Sequence, residues 1–364
     1  MNILDKANLK IKNKYPFTND VENFCTVHES ETMLQINFES IGCKNSYNGK
    51  CIMCDYGRGR NITTDEMLQA LNYAITNIHG KPTVLLVNTY GSILDEFEFS
   101  EENLITLLAE INKLNFNTII FETHYQTITQ EKINLIKAHI KNKNIYFEIG
   151  VESFNDKYRK YCLNKEIDNE ELFDTIKLIK KNECFISANI LVGIPFLNTY
   201  EQLIDSIESI NIAFENGIDE ITLFPINIKQ FTLLYELYKN NLYRPISSWM
   251  LIEILNRVKV EYLNKITFAW FGNRDMVYSN NTTVFPITCD KCKEKLNKFF
   301  EEFNDFNIDN KFELLHEINN IADQCDCKNE FLKDLQVRNN KSFEDTIKEN
   351  YKIIEKLNNN LEEV

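Results

Sequence analysis

NTIIFETHYQTITQEKINLIKAHIKNKNIYFEIG (117–150) holds one complete strand–helix–strand unit. NTIIFET (117–123) and NIYFEIG (144–150) are short runs rich in β-branched and aromatic residues, which read as strands. Between them, QEKINLIKAHIK (130–141) places apolar residues at helical spacing. Two strands joined through a helix lie parallel, because the chain must cross back over the sheet before pairing again. The polar residues fall at the strand ends: Glu122 and His124 on the first, Glu148 on the second. In parallel β/α folds that end of the sheet carries the chemistry.

The same alternation extends in both directions. MLQINFESI (33–41) and TVLLVNT (83–89) are strands, followed by helices at TTDEMLQALNYAITNI (63–78) and SEENLITLLAEINKL (100–114). Downstream, NEELFDTIKLIKKN (169–182) is a helix, FISANILVG (185–193) a strand, TYEQLIDSIESINIAFENG (199–217) a helix and DEITLFPIN (219–227) a strand. Threonine and serine caps with acids in the first turn mark several helix starts. Six such units predict an α/β fold built as a partial (β/α)6 barrel, with ITFAW (266–270) as a peripheral strand. The expected organisation is an N-terminal segment (1–33), the barrel (34–285) and a small C-terminal Cys-rich helical extension (286–364). The last stretch, SFEDTIKENYKIIEKLNNNLEEV, reads as a charged helix without chemistry.

Formal net charge is −14 over 364 residues. That argues against broad charge-driven binding of DNA or RNA, which relies on Lys and Arg neutralising phosphates, and leaves room for a local pocket for one phosphate. No apolar run is long enough to span a bilayer. MNILDKANLKIKNK lacks the apolar core of a signal peptide, so a cytoplasmic protein is expected. In that setting ten cysteines point to metal binding rather than disulfides.

Three of them stand as C-x7-C-x2-C in GCKNSYNGKCIMCDYGRGR (42–60): Cys43, Cys51 and Cys54. The loop follows the first barrel strand. Three thiolates hold three irons of a 4Fe–4S cluster and leave the fourth iron open to a ligand. The other reading is a zinc knuckle completed by a distant Cys25 or His28. Gly42, Gly49, Gly57 and Gly59 let the backbone wrap closely.

With GKCIMCDY (49–56) at its centre, the chain resembles radical S-adenosylmethionine (SAM) enzymes. It departs from their usual C-x3-C-x2-C by its longer first gap. In this it is similar to the radical SAM subunit of archaeosine synthase, a resemblance carried on by GVES (150–153), LNKEI (163–167), LVGIPFLNTYEQLIDSIESI (191–210) and PINIKQFTLLYELYKNNLYRPISSW (225–249). Within that neighbourhood it looks like the queuosine 5′-phosphate lyases of queuine salvage. The resemblance implies a radical SAM barrel whose Cys43, Cys51 and Cys54 ligate a 4Fe–4S cluster, with SAM on the open iron. Reductive cleavage of SAM then supplies a 5′-deoxyadenosyl radical.

By the same resemblance, Gly91 and Ser92 of NTYGSILD hold the methionine amino group, and Met53 and Tyr56 wall the adenine, although plain packing is an equal alternative for both. Period-two geometry puts Glu148 and Glu152 on one face, and Ser187 and Asn189 on one face. Glu148, Ser187 and Asn189 are assigned to SAM, Glu122 and His124 to the catalytic end near the substrate. Substrate contacts are expected from Glu152, Arg58, Asn227, Arg244, Trp270 and Arg274. Arg60, Lys165 and Lys229 are further cations at strand-end loops, where an anion would be gripped. FAWFGNRD (268–275) would stack a flat base or serve as core.

A second set, Cys289, Cys292, Cys325 and Cys327, suits a closed tetrahedral zinc site, with an auxiliary iron–sulfur cluster as the rival. Cys25, Cys162 and Cys184 lack partner spacing and are expected to pack as small apolar groups.

The implied function is a lyase that removes hydrogen from the ribose of queuosine 5′-phosphate, or queuosine, and releases queuine. It would draw electrons from a donor such as flavodoxin or ferredoxin, with a small-molecule nucleotide as substrate and neither nucleic acid nor membrane as direct partner. The alternatives are a lyase acting on a modified 7-deazaguanine within tRNA, and a zinc-stabilised binding module without turnover.

Overall fold

Seven strands run parallel in a curled sheet whose order is their order in the chain. The computed structural model describes residues 2–14, 21–56, 59–269, 282–284, 286–305, 310–321 and 325–360. Strand β1 (Cys25–Glu29) lies antiparallel on the edge of β2 (Met33–Phe38). The parallel series continues through β3 (Val84–Asn88), β4 (Thr118–Glu122), β5 (Asn144–Glu152), β6 (Phe185–Val192) and β7 (Glu220–Pro225). Beyond β7, Ile228–Lys229 forms β8, which pairs with β10 (Thr282–Val284), and β9 (Ile266–Phe268) closes the main sheet beside β7. The expected partial barrel is present, with the peripheral strand in place. Strand β1 was not anticipated. CTVHE is short and half polar, and an edge strand needs neither of the patterns that mark a buried one.

The N-terminal helix α1 spans Ile3–Lys14, and the short α2 (Lys44–Tyr47) lies within the cysteine loop. The crossover helices are α3 (Thr64–Thr76), α4 (Glu101–Ile111), α5 (Gln130–His139), α7 (Asn169–Lys181) and α8 (Thr199–Glu215); a single turn, α6 (Asp156–Tyr158), follows β5. Their starts are chemically fixed. Thr63 with Glu66 and Asn198 with Glu201 form capping boxes, and Ser100, Thr129 and Asp168 cap the others through side-chain oxygens.

After the sheet come α9 (Leu233–Lys239), α10 (Trp249–Arg257), α11 (Asp290–Phe303), α12 (Lys311–Ile321), α13 (Asp326–Asp334) and α14 (Phe343–Asn360). Leu296, Phe299, Phe300, Phe303, Ile318 and Phe331 of this region share one apolar core with the barrel strands and helices. Phe268 is buried against Phe300 and Phe303, so the start of FAWFGNRD is core. The tail helix α14 inserts Ile347 and Ile354 into a second core with Leu4, Ala7 and Ile11 of α1. None of the described helices is long and apolar enough to cross a membrane.

Alternate strand positions enter the core against the helices: Leu85 and Val87, Ile119 and Phe121, Phe147 and Ile149, Ile186 and Ala188, Ile221 and Leu223. The intervening positions line the inner face. There the sequence is polar at the C-terminal ends of the strands, which is where the site lies.

Candidate active site

The cysteine loop leaves β2 through Ser40–Gly42, turns through α2 and passes Cys51 in the left-handed region at φ 56°. Three neighbours hold it. From α1, the Asn8 side-chain amide donates to the carbonyl oxygens of Gly49 (3.1 Å) and Lys50 (3.0 Å), and Lys12 donates to the Ser46 carbonyl (2.6 Å). From the turn after β5, the carbonyl oxygens of Asn164 and Leu163 accept the N–H groups of Cys51 (3.2 Å) and Ile52 (3.1 Å). From the far side, Lys229 on β8 forms a buried ion pair with Asp55 at 3.0 Å and lies 4.6 Å over the Tyr56 ring. Burial pulls the Lys229 ammonium down, but Asp55, Tyr56 and Cys54 outweigh it and the ammonium is held charged.

Burial pushes the Cys51 thiol up; Lys165 opposes this, while Cys54 and Cys43 add to it. These couplings place the three sulfurs in one neighbourhood. Yet they do not form a group compact enough for one ion, as the four C-terminal sulfurs do. Four thiolates around one zinc at 2.3 Å lie about 3.8 Å apart. Gly91 presses against the same corner: a Cβ there would fall 2.6 Å from Cys43 Cβ and 2.4 Å from Glu98 Oε1. Only glycine lets the strand-3 loop approach Cys43 this closely.

Glu98 is buried beneath that contact. Its Oε2 accepts from Thr89 (2.8 Å) and Ser40 (3.2 Å), so one carboxyl ties the loop after β2 to the loop after β3. Burial pushes it up to about 7 despite hydrogen bonds from Thr89, Ser92 and Ser40.

Along the inner face, register partners form a row. Asn37 pairs with Asn88, Glu122 with Glu148 and Glu148 with Ser187, while Gly150, Asn189, Thr222 and Thr267 stand in register further on. Asn88 donates to Glu122 Oε2, and Asn189 donates to Glu148 Oε1 at 3.0 Å. Burial, then the neighbouring Glu148, pushes the Glu122 carboxyl up. Glu152, at φ 67°, is paired with Lys165 at 2.7 Å, and Lys165 also donates to the Gly150 carbonyl at 2.7 Å. A side chain at Gly150 would collide with both. This explains the polar residues of GVES and LNKEI as one contact.

His124 caps a short turn, its Nδ1 accepting from the Gln126 N–H at 3.3 Å. The neutral ring then carries its proton on Nε2, which is buried without a partner. Burial, with Lys165 behind it, holds the ring down to about 3, so it is neutral at all ordinary pH. Ser92 bonds Thr123 at 2.6 Å and accepts the His124 N–H at 3.0 Å.

The predicted residues therefore divide. Glu122, Glu148, Glu152, Ser187 and Asn189 share the inner face, with His124 just beyond the end of β4. Cys43, Cys51, Cys54, Gly91 and Ser92 gather at its rim. Met53 is half-buried against the second core, and the Tyr56 ring faces Lys229 and Tyr90. Asn227, after β7, is 7% exposed with both side-chain polar atoms unpartnered.

Arg244 is not brought to the site: its side chain is 75% exposed and faces Asp334 at 3.6 Å. Nor are Lys165, Lys229 and Arg60 waiting for an anion, since carboxylates of Glu152, Asp55 and Glu66 already neutralise them. Arg58, Trp270 and Arg274 lie outside the described residues. Cys25, Cys162 and Cys184 are buried in apolar surroundings, as anticipated.

Asn8, Asn88, Glu98 and Asn164 escaped the sequence reading. Asn88 had a usable signal, a polar residue two positions after Leu86 at a strand end. The others act across tens of residues, and no spacing rule reports them.

Cys289, Cys292, Cys325 and Cys327 bring their sulfurs within 4.8 Å of one another, the only such group among the described residues. The Trp249 indole N–H donates to Cys327 Sγ at 3.1 Å, joining the group to α10.

Residues 40–210 match the family described as the Radical SAM superfamily. The chain is 27% identical over 349 residues to an uncharacterised protein of Methanocaldococcus jannaschii, covering 92% of this chain and 91% of the relative. It is 26% identical over 234 residues to archaeosine synthase subunit beta of Methanosarcina acetivorans, covering 63% and 67%. Among solved structures it is similar to an N-terminally truncated archaeal Elp3 of Methanocaldococcus infernus, with a TM-score of 0.48, 16% identity and 66% and 58% of the two chains covered. Residues 40–210 are thus similar to a radical SAM superfamily domain, and such a domain implies a 4Fe–4S cluster and SAM. The donor set fits: three clustered thiols at the rim, a glycine pressed on Cys43, and buried polar atoms of Asn88, Asn189 and Asn227 left for a polar ligand.

Proposed function

We propose that the protein is a radical SAM lyase that cleaves the N-glycosidic bond of queuosine 5′-phosphate by removing a ribose hydrogen, releasing queuine. The observation that supports this function is the polar inner face, which meets the three-cysteine loop where Gly91 presses on Cys43 and which holds buried amide oxygens of Asn88 and Asn189. A face of that composition serves a polar ligand with several donors. The similarity to archaeosine synthase subunit beta, together with the motifs shared with that group, supports a 7-deazaguanine substrate.

When bound, the cluster and SAM supply a 5′-deoxyadenosyl radical. Cys43, Cys51 and Cys54 are assigned to the cluster, and Gly91, Ser92, Glu148, Ser187 and Asn189 to SAM. Asn8, Asn164 and the Asp55–Lys229 pair fix the loop from three sides, so the ligating sulfurs keep their positions. Glu122 and the neutral His124 face the substrate end, His124 as an N–H donor through Nε2. Asn227 offers both a donor and an acceptor to a base or phosphate edge. Electrons come from a flavodoxin- or ferredoxin-like donor. A net charge of −14 favours a free nucleotide over tRNA as substrate.

The test is isotope transfer. Queuosine 5′-phosphate deuterated on its ribose, incubated anaerobically with SAM and reductant, is expected to give 5′-deoxyadenosine carrying deuterium. Unlabelled 5′-deoxyadenosine formed alongside queuine would exclude ribose hydrogen abstraction.

A further inference from the structure

Among the described residues, Asn227 alone has both polar atoms of its side chain buried and unpartnered, on a residue only 7% exposed. Its neighbours in the chain set its direction. Ile226 and Ile228 are buried in the second core with Ile52 of the cysteine loop, and the Ile226 N–H donates to the Val192 carbonyl at 2.9 Å. In extended chain the residues that alternate with these point the other way. Lys229 does so, meeting Asp55 at 3.0 Å and lying 4.6 Å over the Tyr56 ring, and Tyr56 lies 5.5 Å from the Tyr90 ring. The same alternation turns Asn227 away from the core, to the side of this aromatic pair.

The backbone around the carboxamide is held at both ends, by the Val192 carbonyl before it and by the Lys229–Asp55 pair after it. Beyond Lys229, the Leu234 N–H donates to the Ile52 carbonyl at 3.0 Å and ties the segment to the cysteine loop. A carboxamide offers an acceptor and a donor side by side. Buried and unmet, both are costly. A phosphate offers acceptors alone and an ammonium donors alone, so either leaves one atom of Asn227 unmet. A ring edge that carries an N–H next to a carbonyl meets both atoms through two parallel hydrogen bonds.

We propose that Asn227 selects the ring of the substrate: its Oδ1 accepts the N1–H of a 7-deazaguanine and its Nδ2–H donates to the O6. This depends on the lyase function above and sharpens it. Asn227 follows β7, outside the strands and loops assigned to SAM. The adenine of SAM also carries a donor beside an acceptor, so the two rings must be separated by experiment.

Two probes do so: 7-deazaguanosine 5′-phosphate, and 2-amino-7-deazapurine riboside 5′-phosphate, which lacks the O6 and the N1–H. Their dissociation constants are measured by calorimetry on the anaerobic holoenzyme with SAM, alongside the constant for SAM itself. The first nucleotide is expected to bind about tenfold or more tightly than the second, which leaves the buried carboxamide unmet. Asn227→Leu, similar in size and without polar atoms, should erase that ratio while SAM affinity stays in place. Asn227→Ala makes the same test where the leucine is not accommodated.

Equal affinity of the two nucleotides for the wild-type protein overturns the proposal without any variant, and leaves the lyase function standing. So does a ratio that survives the substitution while SAM affinity falls, which assigns Asn227 to the adenine of SAM. If neither nucleotide binds a protein that still binds SAM, the 7-deazaguanine substrate itself fails, and the proposal fails with it.

Discussion

The Asn164 carbonyl accepts the backbone N–H of Cys51 at 3.2 Å, joining the turn after β5 to the ligand loop across 113 residues of sequence. The Asn164 side chain extends the junction, donating to Asp5 Oδ1 (2.9 Å) and to the Gly49 carbonyl (3.2 Å). Asn164 itself sits at φ 57°, a conformation asparagine tolerates better than most residues. Asn164→Ala is expected to destabilise by about 2–4 kcal/mol through lost buried hydrogen bonds and backbone strain. Asn164→Gly, which keeps the backbone freedom, should recover about 1 kcal/mol of that. Equal losses for the two in urea unfolding would remove strain from the account.

Lys229 and Asp55 form a buried pair between β8 and the residue after Cys54. Lys229→Met removes the ammonium that Asp55 meets at 3.0 Å and is expected to cost about 3–5 kcal/mol. The double change Lys229→Met with Asp55→Leu should recover much of it. A double variant as unstable as the sum of the single ones would show that the two residues act independently.

Glu98 gives a pH signature. Its folded-state value is pushed up to about 7, above the ordinary 4.5 of the unfolded chain. The neutral carboxyl is favoured in the folded protein, so this contribution is fully present below about pH 4.5 and is lost as pH rises to about 7. Its size is of the order of 3 kcal/mol. The stability difference between wild type and Glu98→Gln should therefore shift in favour of the variant across that window. A difference independent of pH from 4.5 to 7.5 would refute the assignment.

The C-terminal sulfurs are expected to hold one zinc. In a protein with Cys43, Cys51 and Cys54 all changed to Ala, metal analysis should find no iron and about one zinc per chain, as a closed four-thiolate site predicts. Stripping the zinc with a chelator should lower the melting temperature, since α11 and α13 lose their link to Trp249. Iron retained by that variant would instead mark a second cluster.

Much of the framework was legible in the chain. Capped helices and short apolar strands gave the barrel, and period-two geometry put Glu148 with Glu152, and Ser187 with Asn189, on one face of their strands. What escaped was what depends on contact between distant segments. Asn8 reads as one polar residue of an amphipathic helix, and only folding brings it to Gly49. Lys165 reads as a free cation until Glu152 is seen beside it. Glu98 hides among the acids of DEFEF, with nothing local to mark it as buried. Arg244 was misplaced for the converse reason: an arginine in a loop says nothing about which way it faces.

The central claim is tested most directly by product stoichiometry. Wild-type holoenzyme, reduced anaerobically with SAM and queuosine 5′-phosphate, is followed by mass spectrometry for queuine and 5′-deoxyadenosine. The account predicts that both appear together in near-equal amounts, and that Cys51→Ala forms neither. Formation of 5′-deoxyadenosine without queuine from a fully iron-loaded sample would contradict it.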